Sequence, residues 1–255
     1  MILIGMIKKM NNSMRWGFHM DLFTNYNLTI AIKHDISSHN HCLITGSSGS
    51  GKSYALLYLL GMLLKSEPTI KVYFCDFKNS NDFNFLKDYE HYYSGNKCYK
   101  GIMDYYKAFT EARVSGNSDT RHILICDEYP AFINYLQMKD KQDKTKYATD
   151  ILSAVSEILM LGRGIGFGIW IITQRADNSL FNNGARDNFM IIVALGRLSR
   201  EQKSMLFSGE ELPDKIYRQG EGILLADGYE LKEVKYPKIN NVSDWKRHIL
   251  SVIKQ

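Results

Sequence analysis

The chain has no apolar run long enough to cross a membrane: no stretch of its 255 residues reaches the ~18 or more consecutive apolar side chains that a bilayer span requires. It lacks a C-x-x-C pair and an H-E-x-x-H pair, so its four cysteines, Cys42, Cys75, Cys98 and Cys126, give neither a zinc site nor a disulfide framework. Three of these cysteines fall inside apolar strand patterns, where a thiol behaves as a small core residue, and this usage points to a reducing, cytoplasmic setting. The apolar residues 1–7 are short and their lysines follow them, the reverse of a secretory leader. Internal repeats and low-complexity tracts are absent as well. Charge is only mildly one-sided: the net charge of +5 suits a polyanionic partner without requiring one. Apolar residues make up 45% and charged residues 23%, enough apolar side chain for one large core, which excludes disorder as a description of the whole chain.

One stretch supplies chemistry. Gly46, Ser47, Ser48, Gly49, Ser50, Gly51, Lys52 and Ser53 fill every fixed position of G-x-x-x-x-G-K-[ST]. An apolar strand pattern at residues 42–45 leads in and a helical apolar pattern at residues 54–64 leads out, the context that a phosphate-cradling loop requires. Glycines let successive amides turn inward around an anion, and the helix N-terminus adds partial positive charge at the same point. Lys52 is placed to reach the β- and γ-phosphates and the Ser53 hydroxyl to meet Mg2+, with Tyr54 next along the helix. A flexible Gly/Ser linker is the alternative, though linkers seldom sit between a buried strand and an apolar helix.

A second apolar strand, residues 123–126, ends in Asp127 and Glu128. That arrangement places one carboxylate to hold Mg2+, usually through water, and the next to orient and polarise an attacking water. The strand at residues 169–173 ends in Gln174 and Arg175, a place from which a neutral amide can sense the γ-phosphate. Strand patterns also occupy residues 70–76 and 190–195, and residues 222–226 and 229–236 flank an Asp227-Gly228 hairpin turn. Helical spacing covers residues 102–113 and 148–161, with Gly162 placed to end the second, and a terminal helix is expected at 244–253. Residues 15–22 and 28–32 read as short strands of a small β element packed on the main sheet. The aromatics of residues 79–121 read as packing, and the loop at residues 116–118 as surface. The charged run at 139–146 reads as a solvated loop, with nucleic-acid contact as the other reading. Asp76 and Lys78 lie at a strand tip, where either an approach to the nucleotide site or to a neighbouring subunit, or a solvated turn, is open. The fold class expected is α/β, with a mainly parallel sheet and helices on both faces. Its parts are an N-terminal β element at 1–38, a core at 39–237, and a C-terminal helix at 238–255 that follows the hairpin.

The residues 41–53, the Asp127-Glu128 pair, and the block from Gly162-Arg163-Gly164 to Thr173-Gln174-Arg175 resemble the FtsK/SpoIIIE/HerA family of DNA-translocating ATPases, over residues 40 to 225. Asp76-Phe77-Lys78, the Tyr92-Tyr93 region, and residues 184–189 followed by Ala194-Leu195-Gly196-Arg197 look like the FtsK-like proteins of Gram-positive conjugative and mobile elements. The resemblance implies a RecA-like P-loop core, ATP and Mg2+ as cofactors, and a homo-hexameric ring around duplex DNA gripped with little sequence preference. It also implies a relaxase or secretion-channel component as partner. By motif position it implies Lys52 on phosphate, Ser53 and Asp127 on the metal, Glu128 as catalytic base and Gln174 as sensor. Arg163 is the arginine offered to a neighbour's γ-phosphate, with Arg175, Arg186 and Arg197 as competitors. The expected function is an ATP-driven DNA pump for transfer, segregation or packaging. A secretion ATPase acting on proteins and a slow nucleotide-gated adaptor are the alternatives. The membrane domain and the DNA-reading winged helix of the large family members are not expected here.

Overall fold

The computed structural model describes residues 13–116, 118, 120–175 and 185–255. The apolar residues 1–7, Asn117 and Gly184 lie outside the described residues, as does the side chain of Arg186. Among the described residues ten strands form one continuous sheet: β1 (Ser13–His19), β2 (Ala31–Asp35), β3 (Cys42–Gly46), β4 (Lys71–Asp76), β5 (Tyr92–Ser94), β6 (His122–Asp127), β7 (Phe167–Thr173), β8 (Ile191–Leu195), β9 (Glu221–Ala226) and β10 (Lys232–Lys235). The helices are α1 (Met20–Tyr26), α2 (Lys52–Ser66), α3 (Cys98–Ser115), α4 (Tyr129–Asp143), α5 (Tyr147–Leu161), α6 (Arg200–Leu206) and α7 (Val242–Ile253). The strand order is β2-β1-β10-β9-β8-β3-β7-β6-β4-β5. From β8 to β5 all pairings are parallel, and from β8 outward to β2 they are antiparallel. The mainly parallel α/β architecture expected from the sequence is therefore the one observed.

The central strands are apolar without a break because both faces are covered, the usual condition of parallel sheet. Their side chains still alternate between two cores. Cys42, Ile44, Val72, Phe74, Ile123, Ile125, Trp170 and Ile172 face α2 and α7. Leu43, Tyr73, Cys75, Leu124, Cys126, Ile169 and Ile171 face α3, α4 and α5. The aromatics of the middle of the chain are indeed packing: Tyr105 and Phe109 of α3 are fully buried, and the Tyr105 hydroxyl donates to the Gly168 carbonyl at 2.7 Å.

The N-terminal hairpin differs from its sequence reading. β1 ends at His19 and the chain turns into α1, which Asn27 closes with a left-handed φ of 53°. The returning strand then starts at Ala31 rather than Leu28, because it is registered against β1, Phe18 opposite Ala31 and Ser13 opposite Asp35. The hairpin does not pack on the sheet but extends it, through β1 and β10. Trp16 is fully buried against Trp170, ring centroids 5.3 Å apart.

The charged run at 139–146 is also not a simple loop. Its first part is the last turn of α4, and Asp140 caps the next helix by accepting hydrogen bonds from Tyr147 N and Ala148 N, both at 2.8 Å. α5 stops at Leu161 as Gly162 suggested, but the chain continues as a 3-10 turn over Gly162–Ile165 before it reverses.

The C-terminal helix packs on α2 through a close approach. A Cβ at Gly61 would run into the Trp245 indole, whose Nε1 donates to the Leu57 carbonyl at 3.0 Å. Gly61→Leu raises helix propensity by about 1 kcal/mol. The variant should nevertheless melt lower by several degrees, since overpacking costs about 1–3 kcal/mol, and its Trp245 emission should shift to the red as α7 leaves α2. A melting temperature at or above that of the parent would remove this contact as the reason for the glycine.

Candidate nucleotide site

All the motif residues but one meet at a single edge of the sheet. The phosphate loop leaves the C-terminal end of β3, and α2 begins at Lys52. Gly51 adopts a φ of +96° and packs against the Gly220 backbone, while Gly220 N donates to the Ser50 carbonyl at 2.9 Å. A side chain at Gly51 would meet both a strained backbone and this neighbour. β7 lies between β3 and β6, so Gln174, after the tip of β7, stands between the loop and the Asp127-Glu128 tip of β6. A cleft of about 390 Å³ is lined by Ser48, Gly49, Lys52, Ser53, Asp127, Glu128 and Gln174, among others.

The polar contacts within the cleft are specific. Lys52 Nζ donates to the Gly46 carbonyl at 2.6 Å and to the Ser47 carbonyl at 3.0 Å, which holds the ammonium over the loop. Burial lowers its pKa from the usual lysine value. Asp127 is buried, and its pKa is raised to about 7, first by loss of hydration and then by the neighbouring Asp76 and Glu128 carboxylates. Asp76 is its registered partner on β4, fully buried; its Oδ2 accepts hydrogen bonds from Tyr92 Oη and Ser80 N, both at 3.0 Å. Glu128 leaves β6 in a left-handed conformation, φ 57°, ahead of α4. Its Oε1 accepts from Lys78 Nζ at 2.6 Å and from Gln174 Nε2 at 3.1 Å.

The donor chemistry fits a small hard cation. A serine hydroxyl and a carboxylate face one polar cleft, and Asp76 keeps a buried Oδ1 with no hydrogen-bond partner among the described residues. Oxygen ligands with retained water are what Mg2+ takes. Ser53 and Asp127 would hold the ion, which when bound neutralises charge on the phosphates.

Arg163 is the exception. It precedes β7, at the sheet edge opposite the phosphate loop, beside His41, whose Nδ1 accepts Ile169 N at 3.0 Å. Burial first, then the Arg163 charge, holds His41 neutral down to about pH 3. Among the competing arginines, Arg175 follows Gln174, which lines the cleft, and Arg197 follows Gly196, which packs on Ser50 of the loop. Sequence reasoning left Lys78 open and missed Gln219, Val242 and Lys246, which also line the cleft. These come from distant segments, and no local pattern marks them. Tyr54 lines the cleft while its hydroxyl accepts a hydrogen bond from Ile239 N.

A strand, a glycine loop and a helix opening on Lys52, with an acidic strand tip beside them, define a P-loop nucleoside triphosphatase fold. Residues 7–113 match the model of the FtsK/SpoIIIE family. It is 26% identical over 190 residues to the FtsK domain-containing protein YdcQ of Bacillus subtilis (strain 168), a match that covers 67% of this chain and 37% of that protein. The chain thus spans little more than a third of that relative. The fold is shared with the pCW3 conjugation coupling protein TcpA, solved with ATPγS. The TM-score is 0.70 at 20% identity, over 96% of this chain and 71% of the other. It is shared also with ATPases 2 and 3 of EssC from Geobacillus thermodenitrificans, at a TM-score of 0.68 and 14% identity, over 94% and 48% of the two chains. Among the described residues no helix is long and apolar enough to cross a membrane.

Proposed function

We propose that this domain hydrolyses Mg2+-ATP and couples the cycle to movement along DNA. The observation that carries the reading is the convergence of Lys52, Ser53, Asp127, Glu128 and Gln174 on one cleft, in a chain whose residues 7–113 match the FtsK/SpoIIIE family model. The loop amides and Lys52 bind the triphosphate; Ser53 and Asp127 serve the ion. Glu128 accepts the proton of the attacking water, and Gln174 reports the state of the terminal phosphate through its hydrogen bond to Glu128. Arg163 stands at the sheet edge opposite its own cleft; we assign it to a neighbouring subunit of a ring, where an added positive charge would stabilise phosphoryl transfer. Alternate closing and opening of that interface would drive the movement along the polymer.

Grip through phosphates is salt-sensitive and weakly dependent on sequence. Steady-state ATP turnover should therefore rise several-fold on adding duplex DNA, with the stimulation lost between about 50 and about 200 mM salt. Single-stranded DNA should stimulate less, and Lys52→Ala should be inactive under all conditions. Turnover indifferent to both polymers would remove DNA from the reading and leave a secretion or adaptor role. A wild-type chain that consumes no ATP would end the reading entirely.

A further inference from the structure

Lys78 belongs to no part of the phosphate loop or of the acidic strand tip. It follows β4 in the segment after Asp76, fifty positions from Glu128 in sequence. Even so it makes the shortest polar contact of Glu128, Nζ to Oε1 at 2.6 Å. The two ends differ in exposure: the Lys78 side chain is 48% exposed, that of Glu128 11%. An exposed ammonium would ordinarily stay fully hydrated, and a loose surface pair would contribute little. Here the carboxylate is recessed in the cleft and carries a second donor, Gln174 Nε2, on the same oxygen at 3.1 Å. Among the described residues no protein group donates to Oε2.

The segment that bears Lys78 is itself anchored. Ser80 N donates to the buried Asp76 Oδ2, and Tyr92 of the neighbouring strand holds the same oxygen. Phe77 packs on Phe132 and Tyr135 of α4, ring centroids 5.3 and 5.5 Å away. Lys78 is therefore set between two fixed points, over the residue that opens α4.

We propose that Lys78 is a positioning residue for Glu128: with the Gln174 amide it pins one carboxylate oxygen and leaves the other free to take the proton of the attacking water. A carboxylate held by two donors on one oxygen has a single orientation available, and a base misdirected by about 1 Å loses on the order of 100-fold. The proposal rests on the ATPase reading above.

The test compares Lys78→Met, which keeps the stem and removes the charge, with Lys78→Arg. Both are also placed in a Glu128→Gln background, and single-turnover rates, ATP affinity and thermal melting are recorded. Lys78→Met should lower kcat about tenfold or more, with the Kd for ATP within about threefold of wild type and melting unchanged. Lys78→Arg should recover most of the rate. In the Glu128→Gln background the lysine change should add nothing further, since there is no carboxylate left to place. Additive losses in that background, or weaker ATP binding at unchanged kcat, would show that Lys78 acts on the phosphates and overturn the proposal. A normal rate in Lys78→Met overturns it as well, while leaving the ATPase reading intact. A wild-type chain without turnover overturns both.

Discussion

Glu128→Gln should still bind ATP and should hydrolyse it about 100- to 10,000-fold more slowly than wild type, the range over which a positioned base contributes. The substitution keeps the size of the side chain, and its carbonyl oxygen keeps an acceptor for Gln174 Nε2 and Lys78 Nζ, which both meet Oε1 of the native residue. What disappears is the capacity to take a proton. The ATP Kd, measured by calorimetry, should move by less than about threefold, because the loop amides and Lys52 set it. Phosphate release in a coupled assay would then show a loss confined to kcat, the signature of an interaction made in the transition state. Wild-type turnover in this variant would take the role of base away from Glu128 and end the Lys78 proposal with it.

The second large effect has two signs. Asp127→Asn should abolish hydrolysis and at the same time stabilise the metal-free protein at pH 8. Burial and the Asp76 and Glu128 charges raise the Asp127 pKa to about 7, against an ordinary aspartate value of about 3.9 in the unfolded chain. Between those values the folded state holds a proton that the unfolded state has released, so stability falls as pH rises through this window. Above pH 7 the carboxylate is charged and poorly hydrated, and its cost to the folded state is fully present. Replacing it with a neutral amide should return roughly 2–4 kcal/mol, read as a higher midpoint in urea at pH 8 and a much smaller difference at pH 4. Mg2+ should narrow the gap, because a cation at Asp127 favours the charged form. An Asp127→Asn variant less stable than wild type at pH 8 in the absence of metal would mean that the carboxylate is satisfied in a way that its surroundings do not provide.

This site sits where a functional strain is expected: three carboxylates, Asp76, Asp127 and Glu128, gathered at adjoining strand tips beside one lysine loop. The parts of the site that the sequence announced are those whose chemistry is local. The phosphate loop is eight consecutive residues, and Asp127-Glu128 and Gln174 each end an apolar strand. The sheet then brings them together, through the β3–β7 and β7–β6 pairings. The parts left open are long-range. Lys78 meets Glu128 across fifty residues, and Lys246 and Val242 reach the cleft from the last helix, so no spacing in the chain could mark them.

The same division holds for the fold. The buried central strands read correctly because they are unbroken apolar runs. The edge hairpin did not: its bounds are set by pairing with a neighbour and by a bulge between Arg15 and Gly17, and neither leaves a pattern in residues 13–35. α4 was hidden for a different reason. Its last turn carries Lys139, Asp140 and Lys141, a polarity that resembles a loop until Asp140 is seen to cap α5.

The packing of α7 on α2 has an optical consequence. Of the three tryptophans, Trp16 and Trp170 are sealed in the core against each other, while Trp245 is only partly buried and rests on the helix that opens at the phosphate loop. Its indole is bonded to Leu57, and Leu57 itself borders the cleft. The chain thus carries a native fluorophore bonded to a residue that lines the cleft, so that stopped-flow emission should follow nucleotide binding without any label.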